Sequence, residues 1–190
     1  MLVEIEERIL TYNRSQLEAW KAGDKRLVPA FLSERDIIIN QPEYHFGEIF
    51  VLRHYHETEG WKGFISYAIG TQYPGSGSRA RGRAKIEALV PSEKLTRFRA
   101  LRAGTNDGKL GKGEPDLFLY RDSEECKFVE VKKETDRISQ AQLRCMAQIM
   151  AILEYPVELV YLCEEGRDHK PRTYVLDLDR FVGQKKGLAT

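Results

Sequence analysis

Between Leu2 and Ala22 the apolar side chains fall at Ile5, Ile9, Leu10, Leu17 and Trp20, a loose helical spacing that ends near Gly23. It predicts an N-terminal helix. The β-branched run Ile37-Ile38-Ile39, bounded by charges and by Asn40-Gln41-Pro42, predicts a short strand. From Gly47 the pattern sharpens. Ile49, Phe50, Leu52, Arg53 and Tyr55 fit a helix stopped at Glu59-Gly60, and Trp61, Phe64, Ile65, Tyr67 and Ile69 fit a strand. Turn chemistry follows at Tyr73-Pro74-Gly75-Ser76-Gly77.

The final third is the most regular. Leu117-Phe118-Leu119-Tyr120 is a short apolar run, and Arg121-Asp122-Ser123-Glu124-Glu125 is a polar turn. Lys127 to Lys132 alternates charged and apolar residues at period two, as a strand does. Ser139 opens a helix with Gln142 three positions on, a capping-box arrangement, and Leu143, Met146, Ala147, Met150 and Leu153 mark its buried face. Val157 to Leu162 and Tyr174 to Leu178 predict two more strands. The order helix, strand, strand, helix, strand, strand predicts an α+β fold, or a mixed α/β sandwich, around one sheet.

Composition adds little until it is read locally. The chain has 190 residues, 42% hydrophobic and 31% charged, with a formal net charge of +1. That is enough for one domain with a real core and says nothing about a polyanionic partner. Three cysteines without zinc-type spacing, Cys126, Cys145 and Cys163, predict free thiols in a reducing compartment. The acidic start, Met1 to Glu7, does not resemble a signal peptide, and no apolar run approaches the roughly 18 residues of a membrane span. An intracellular protein is expected, cytoplasmic or, in a eukaryote, nuclear, with no membrane partner.

Locally, the positive charge is concentrated. Arg79, Arg81, Arg83, Arg97, Arg99 and Arg102, with Lys85, Lys94, Lys109 and Lys112, face only Glu87, Glu93 and Asp107 between residues 79 and 112. Arg79, Arg81 and Arg83 alternate with Ala80 and Gly82, which suggests an extended or flexible stretch. Ser92 is placed to cap a helix ending near Ala103-Gly104, and Thr105 to Gly113 is turn-rich. Phosphates are natural partners for such a segment through charge and bidentate hydrogen bonds; a solvated basic loop is the plainer alternative. His54 and His56 point to different faces of a helix and make no metal pair, and His45 and His169 carry no usable signal.

The chemistry is in Pro115-Asp116 and Glu130-Val131-Lys132. If residues 117–120 and 127–132 pair as a hairpin, Asp116 starts one strand beside Glu130 near the end of the other. Glu130 and Lys132, two apart, leave the same sheet face. Two carboxylates and an ammonium would then meet on one patch. Such oxygen donors, with the Val131 carbonyl, suit Mg²⁺ or Mn²⁺, and Lys132 can orient a water or offset charge on a phosphate. Taken alone, Glu-x-Lys on a strand is more often a solvated face with a weak ion pair.

Together, Gly113-Glu114-Pro115-Asp116-Leu117, Phe128-Val129-Glu130-Val131-Lys132, Asp136-Arg137-Ile138-Ser139 and Gln142 resemble the virus-type replication-repair nuclease (VRR-NUC) domain. That domain is a branch of the PD-(D/E)xK superfamily and also forms the catalytic end of the Fanconi-associated nuclease. Gly47 to Tyr55 is similar to the family's first helix, whose glutamate helps hold metal. The resemblance implies a restriction-endonuclease-like mixed sheet flanked by helices, and hydrolysis of DNA with Mg²⁺ or Mn²⁺. It implies Asp116, Glu130, Lys132 and Gln142 as catalytic residues, and Glu48, Asp116, Glu130 and the Val131 carbonyl as metal ligands. Gln142 is equally available as the capping partner of Ser139, and Glu43, Glu57 and Glu59 compete with Glu48.

The chain departs from the family at Lys133-Glu134, where many members have Gly-Pro. It also has a long stretch before Pro115, where compact members have a short link. This gives an organisation of a helical extension over residues 1–46 and a nuclease domain over 47–180 with a basic insertion at 74–112. Within that insertion Arg79, Arg81, Arg83, Lys85, Arg97, Arg99, Lys109 and Lys112 are the expected DNA contacts. Branched or flapped DNA is the substrate that the resemblance implies; monomer and homodimer are both compatible. The alternatives are a sequence-specific restriction or host-defence endonuclease and an inactive DNA-binding protein with a nuclease fold.

Overall fold

Residues 2–12, expected as a helix, form the strand β1 (Leu2–Tyr12). From Leu2 to Arg8 every second side chain is exposed, while Ile5 and Glu7 are buried. The period is two, and Glu7 hid it by putting a charge at an inward position. The Glu7 carboxylate is satisfied there by His169 Nε2 at 2.8 Å, the Arg172 amide at 3.0 Å and the Tyr174 hydroxyl at 3.1 Å. A buried charge is tolerated when it is hydrogen-bonded in this way. The helical spacing belongs only to α1 (Arg14–Lys21), which Asn13 opens with a capping box through Gln16.

The computed structural model describes residues 1–32, 44–70, 76–104, 112–121, 125–134 and 136–179. After α1 come α2 (Phe46–Glu59), β2 (Lys62–Phe64), α3 (Gly77–Leu89), α4 (Ser92–Gly104), β3 (Leu117–Arg121) and β4 (Glu125–Lys133). Then follow α5 (Gln140–Gln148), which runs into a π-helical turn at Ile149–Leu153, β5 (Val157–Glu164) and β6 (Thr173–Asp177). The six strands form one mixed sheet in the order β2-β3-β4-β5-β1-β6. The pairs β4–β5 and β5–β1 are parallel, and the other neighbours are antiparallel.

Alternation along the strands builds a core on each face. Leu117, Leu119, Val129, Val131, Val160 and Leu162 pack with Trp20 of α1 and with Phe46, Ile49 and Leu52 of α2. Phe118, Cys126, Phe128, Val157 and Leu159 pack with Ile86 of α3, Phe98 of α4 and Met146 of α5. The result is the mixed sheet flanked by helices that was expected. The three cysteines are buried free thiols. Among the described residues no helix is long and apolar enough to cross a membrane.

Two other expectations are corrected. The strand anticipated over Trp61 to Ile69 is ordered as β only at Lys62–Phe64, and Tyr67, Ala68 and Ile69 are buried without strand pairing. The Arg79–Arg83 stretch is not extended; it is the first half of α3. Ala80, Ala84 and Ala88 favour a helix there. Gly82 lets it lie close to the sheet, since a Cβ at that position would stand 2.8 Å from the Ser66 carbonyl. The strand expected at Ile37–Ile39 and the turn around Pro74 fall wholly or largely outside the described residues, as does most of the loop 105–113.

Candidate active site

Leu117 pairs with Val129 across the β3–β4 hairpin, so Asp116 stands beside Glu130. The Val131 amide donates to Asp116 Oδ2 at 2.9 Å and fixes that carboxylate at the hairpin's end. From the other side the Asp116 segment is held by the Tyr67 hydroxyl, which donates to the Pro115 carbonyl, and by Glu114, which accepts from the Gly70 amide at 2.8 Å. Asp116, Glu130 and Lys132 are thus brought into one cluster.

Glu130 is wholly buried. Its Oε1 accepts from the Lys132 ammonium and from the Gln142 amide nitrogen. Among the described residues its buried Oε2 meets no donor, and the Glu130 and Asp116 carboxyls lie within hydrogen-bonding reach of each other. Burial and the neighbouring Asp116 push the Glu130 carboxyl up to about 8, and burial pushes Asp116 up to about 6 against the lowering effect of the Val131 amide. Burial works against the Lys132 charge, but Glu130 outweighs it and holds the ammonium above the ordinary lysine value. Lys132 is thus protonated at neutral pH.

Gln142 meets both Ser139 and Glu130. Its amide oxygen accepts from the Ser139 backbone at 2.9 Å, completing the capping box of α5, while its nitrogen faces Glu130. The orientation is dictated by its neighbours: a backbone N–H needs the oxygen, and a carboxylate needs the N–H₂. The helix cap and the carboxylate are therefore held by one side chain.

Glu48 is in the first turn of α2, which lies close on β4 and β5: a Cβ on Gly47 would stand 3.3 Å from Leu162 and 3.4 Å from Val131. Its carboxylate lines a pocket of about 300 Å³ together with Asp116, Val131, Lys132 and Lys133. Burial raises the Glu48 carboxyl, but the His45 hydrogen bond and nearby charges outweigh it and hold the group low and ionised. Of the competing glutamates, Glu57 pairs with Arg53, and Glu59 lies at the far end of α2 with Arg8 and Lys127. Glu43 is outside the described residues.

His45, which carries no usable signal at the level of sequence, is in this pocket. It adopts a left-handed conformation (φ 69°) before α2, and its Nδ1 lies 3.2 Å from Glu48 Oε1. That hydrogen bond holds its imidazole above the ordinary histidine value. The i,i+3 spacing to Glu48 was the only trace of it in the sequence. His54 meets Arg8 at 3.2 Å, and His56 meets the Trp61 carbonyl at 2.9 Å.

The donor set fits a hard divalent cation. Two adjacent carboxyls with raised pKa values share the Lys132 ammonium, one positive charge for two acids, which does not let both ionise. Among the described residues no three His, Cys, Asp or Glu side chains converge to cage a metal by themselves. Water and phosphate would complete the shell, as suits Mg²⁺ better than a closed site does.

The expected DNA contacts divide by environment. Arg79, Arg81, Arg97 and Lys112 are exposed. Arg83 and Arg99 both bind Glu87 at 2.8 Å, Arg99 also donates to the Ile69 carbonyl at 3.0 Å, and Lys85 lies over the Tyr120 ring at 4.5 Å. Those three side chains join α3 to α4 and the sheet. Lys109 is outside the described residues. Arg102 is buried and donates to the Lys112 carbonyl.

No curated protein matches the chain. Two crystal structures are similar in part. In one, paFAN1 is bound to a 1-nt 5′-flap DNA with a gap (22% identity, TM-score 0.40, covering 63% of this chain and 20% of that one). In the other, paFAN1 is bound to a 2-nt 5′-flap DNA with a gap (18% identity, TM-score 0.39, covering 70% and 24%). This chain thus spans a quarter or less of the proteins in those structures. The VRR-NUC domain model matches residues 72–161. Asp116, Glu130, Lys132 and Gln142 all lie inside the matched stretch.

Proposed function

We propose that this protein is a nuclease that hydrolyses phosphodiester bonds in DNA with Mg²⁺ or Mn²⁺, and that it acts on branched or flapped DNA. The observation that carries the proposal is the Asp116–Glu130 pair: two buried carboxyl groups held together, one with a buried oxygen that meets no donor among the described residues. A protein retains such an arrangement at a cost in stability, and a divalent cation relieves it. The VRR-NUC match supports nuclease chemistry, and the preference for branched or flapped DNA follows the same family resemblance.

In this reading Asp116, Glu130 and the Val131 carbonyl hold the cation, and Glu48 supplements them from across the pocket. When bound, the metal polarises the scissile phosphate and makes a bound water a stronger nucleophile. Lys132, whose ammonium Glu130 holds in place, can donate to a phosphate oxygen or hold the water. Gln142 keeps the Glu130 carboxylate aimed while it fixes the start of α5. Arg79, Arg81, Arg97 and Lys112 supply exposed positive charge for the duplex arms.

The test is a panel of labelled duplex, 5′-flap, 3′-flap, fork and four-way-junction DNAs, each with Mg²⁺, Mn²⁺ or EDTA. Cutting of the branched substrates is expected with either metal and not with EDTA. It should be lost in Asp116→Ala, and lost in Lys132→Ala without loss of DNA binding. Cutting confined to one short sequence would favour a restriction-type enzyme instead. Binding to every DNA without cutting in either metal would reduce the protein to a DNA-binding role.

A further inference from the structure

Beside the carboxylates, the pocket has a wall that the proposed chemistry does not use. Tyr44 is 60% exposed and is the one aromatic among the large apolar side chains left exposed in the described residues. It lines the same pocket as Asp116, Glu48 and Lys132, with Lys21 and Lys133 also on the rim. An aromatic ring left in water forgoes the gain that burial would bring.

The ring is also held in place from behind. The buried Trp20 indole donates to the Tyr44 carbonyl at 3.1 Å, which fixes the backbone. The next residue, His45, takes a left-handed conformation that residues other than glycine rarely adopt. Its ring lies 6.3 Å from that of Tyr44 at 51°. Tyr44 is therefore presented by a locked turn, on the rim of the space where the scissile phosphate would bind.

We propose that Tyr44 is a base-stacking platform: it receives an unpaired nucleobase next to the scissile phosphate, while Lys21 and Lys133 face that nucleotide's backbone. This rests on the nuclease reading and narrows it. The pocket, at about 300 Å³, is on the scale of one nucleotide and much too small for a base pair with both its sugars. Every base offers a π-face, so the platform selects single-stranded character and not sequence. It gives a physical reason for preferring a flap over continuous duplex.

The test uses the full-length protein in EDTA, so that nothing is cut, and a 5′-flap DNA carrying 2-aminopurine at successive flap positions in turn. Stacking on Tyr44 should quench the fluorophore at one position near the junction. Tyr44→Ala should abolish that quenching and weaken flap binding about 10-fold, within the 5- to 150-fold span of one lost base stack. Affinity for blunt duplex should not change, and Tyr44→Phe should keep both quenching and affinity. Unchanged quenching and flap affinity in Tyr44→Ala would overturn the platform while leaving the nuclease reading intact. Equal weakening on flap and duplex would also overturn it, because Tyr44 would then be a general contact. If wild-type protein bound none of these DNAs, the nuclease reading itself would fall.

Discussion

Glu130→Gln is expected to raise the melting temperature of the metal-free protein at pH 8 while lowering cleavage on the order of 10³-fold, about 4 kcal/mol of transition-state stabilisation. The two effects share one cause. Burial, and then the adjacent Asp116, raise the Glu130 carboxyl to about 8, while burial raises Asp116 to about 6. Both folded values lie above the ordinary values of 4.5 and 3.8. The folded state therefore holds its protons more tightly than the unfolded chain. The stability linked to them is fully present below about pH 4 and is lost as pH rises through about 6 and 8.

At pH 8 and above, the cluster of Asp116, Glu130 and Lys132 tends toward two negative charges and one positive. Glutamine at 130 keeps the shape and leaves Asp116 to balance Lys132. The check is thermal unfolding in EDTA between pH 5 and 9. The wild-type curve should fall across this range, and that of the variant should be flatter. Mg²⁺ or Mn²⁺ at pH 8 should restore the wild type, by up to about 2.7 kcal/mol at a hundredfold excess over Kd, and should have a much smaller effect on the variant. A wild-type melting temperature that ignored both pH and metal would remove the premise that these carboxylates lack a cation.

What could be read in the sequence follows from how local each feature is. The β3–β4 hairpin was legible because period-two alternation and a polar turn fix its register, and the register alone places Asp116 beside Glu130. The Ser139–Gln142 cap was legible for the same reason, being three residues apart. Its second function was not, since Glu130 reaches Gln142 only once α5 packs on the sheet. β1 was misread because Glu7 occupies an inward position that tertiary partners, His169 and Arg172, make tolerable. Glu48 was chosen over Glu57 and Glu59 by family resemblance, and the structure separates them by which end of α2 meets Val131. His45 and Tyr44 depend on a left-handed turn and an indole contact that no periodicity announces.

Gly113→Ala should be among the most damaging single-methyl changes available in the chain, and it should reach the active site without touching a proposed ligand. Gly113 has φ +78°, and an added Cβ would stand 2.5 Å from the Ala141 carbonyl oxygen, 2.6 Å from its carbon and 2.9 Å from the Gln142 nitrogen. These are backbone atoms in the first turn of α5, which cannot swing aside as a side chain can. Left-handed strain costs about 1–3 kcal/mol by itself. With the collision, a loss of about 3 kcal/mol or more is expected, a fall in melting temperature of roughly 6–12 °C for a chain of this size. Relief by shifting α5 would move Gln142 away from Glu130, and a displacement near 1 Å would lower the cleavage rate on the order of 10²-fold. Gly166→Ala is the control. Gly166 has φ +83° with nothing within 4 Å of its added Cβ, so it carries the strain without the collision. That variant should lose about 1 kcal/mol and no activity. If Gly113→Ala were no worse than Gly166→Ala in both measurements, the close approach of residue 113 to α5 would not be what holds Gln142 in register with the carboxylates.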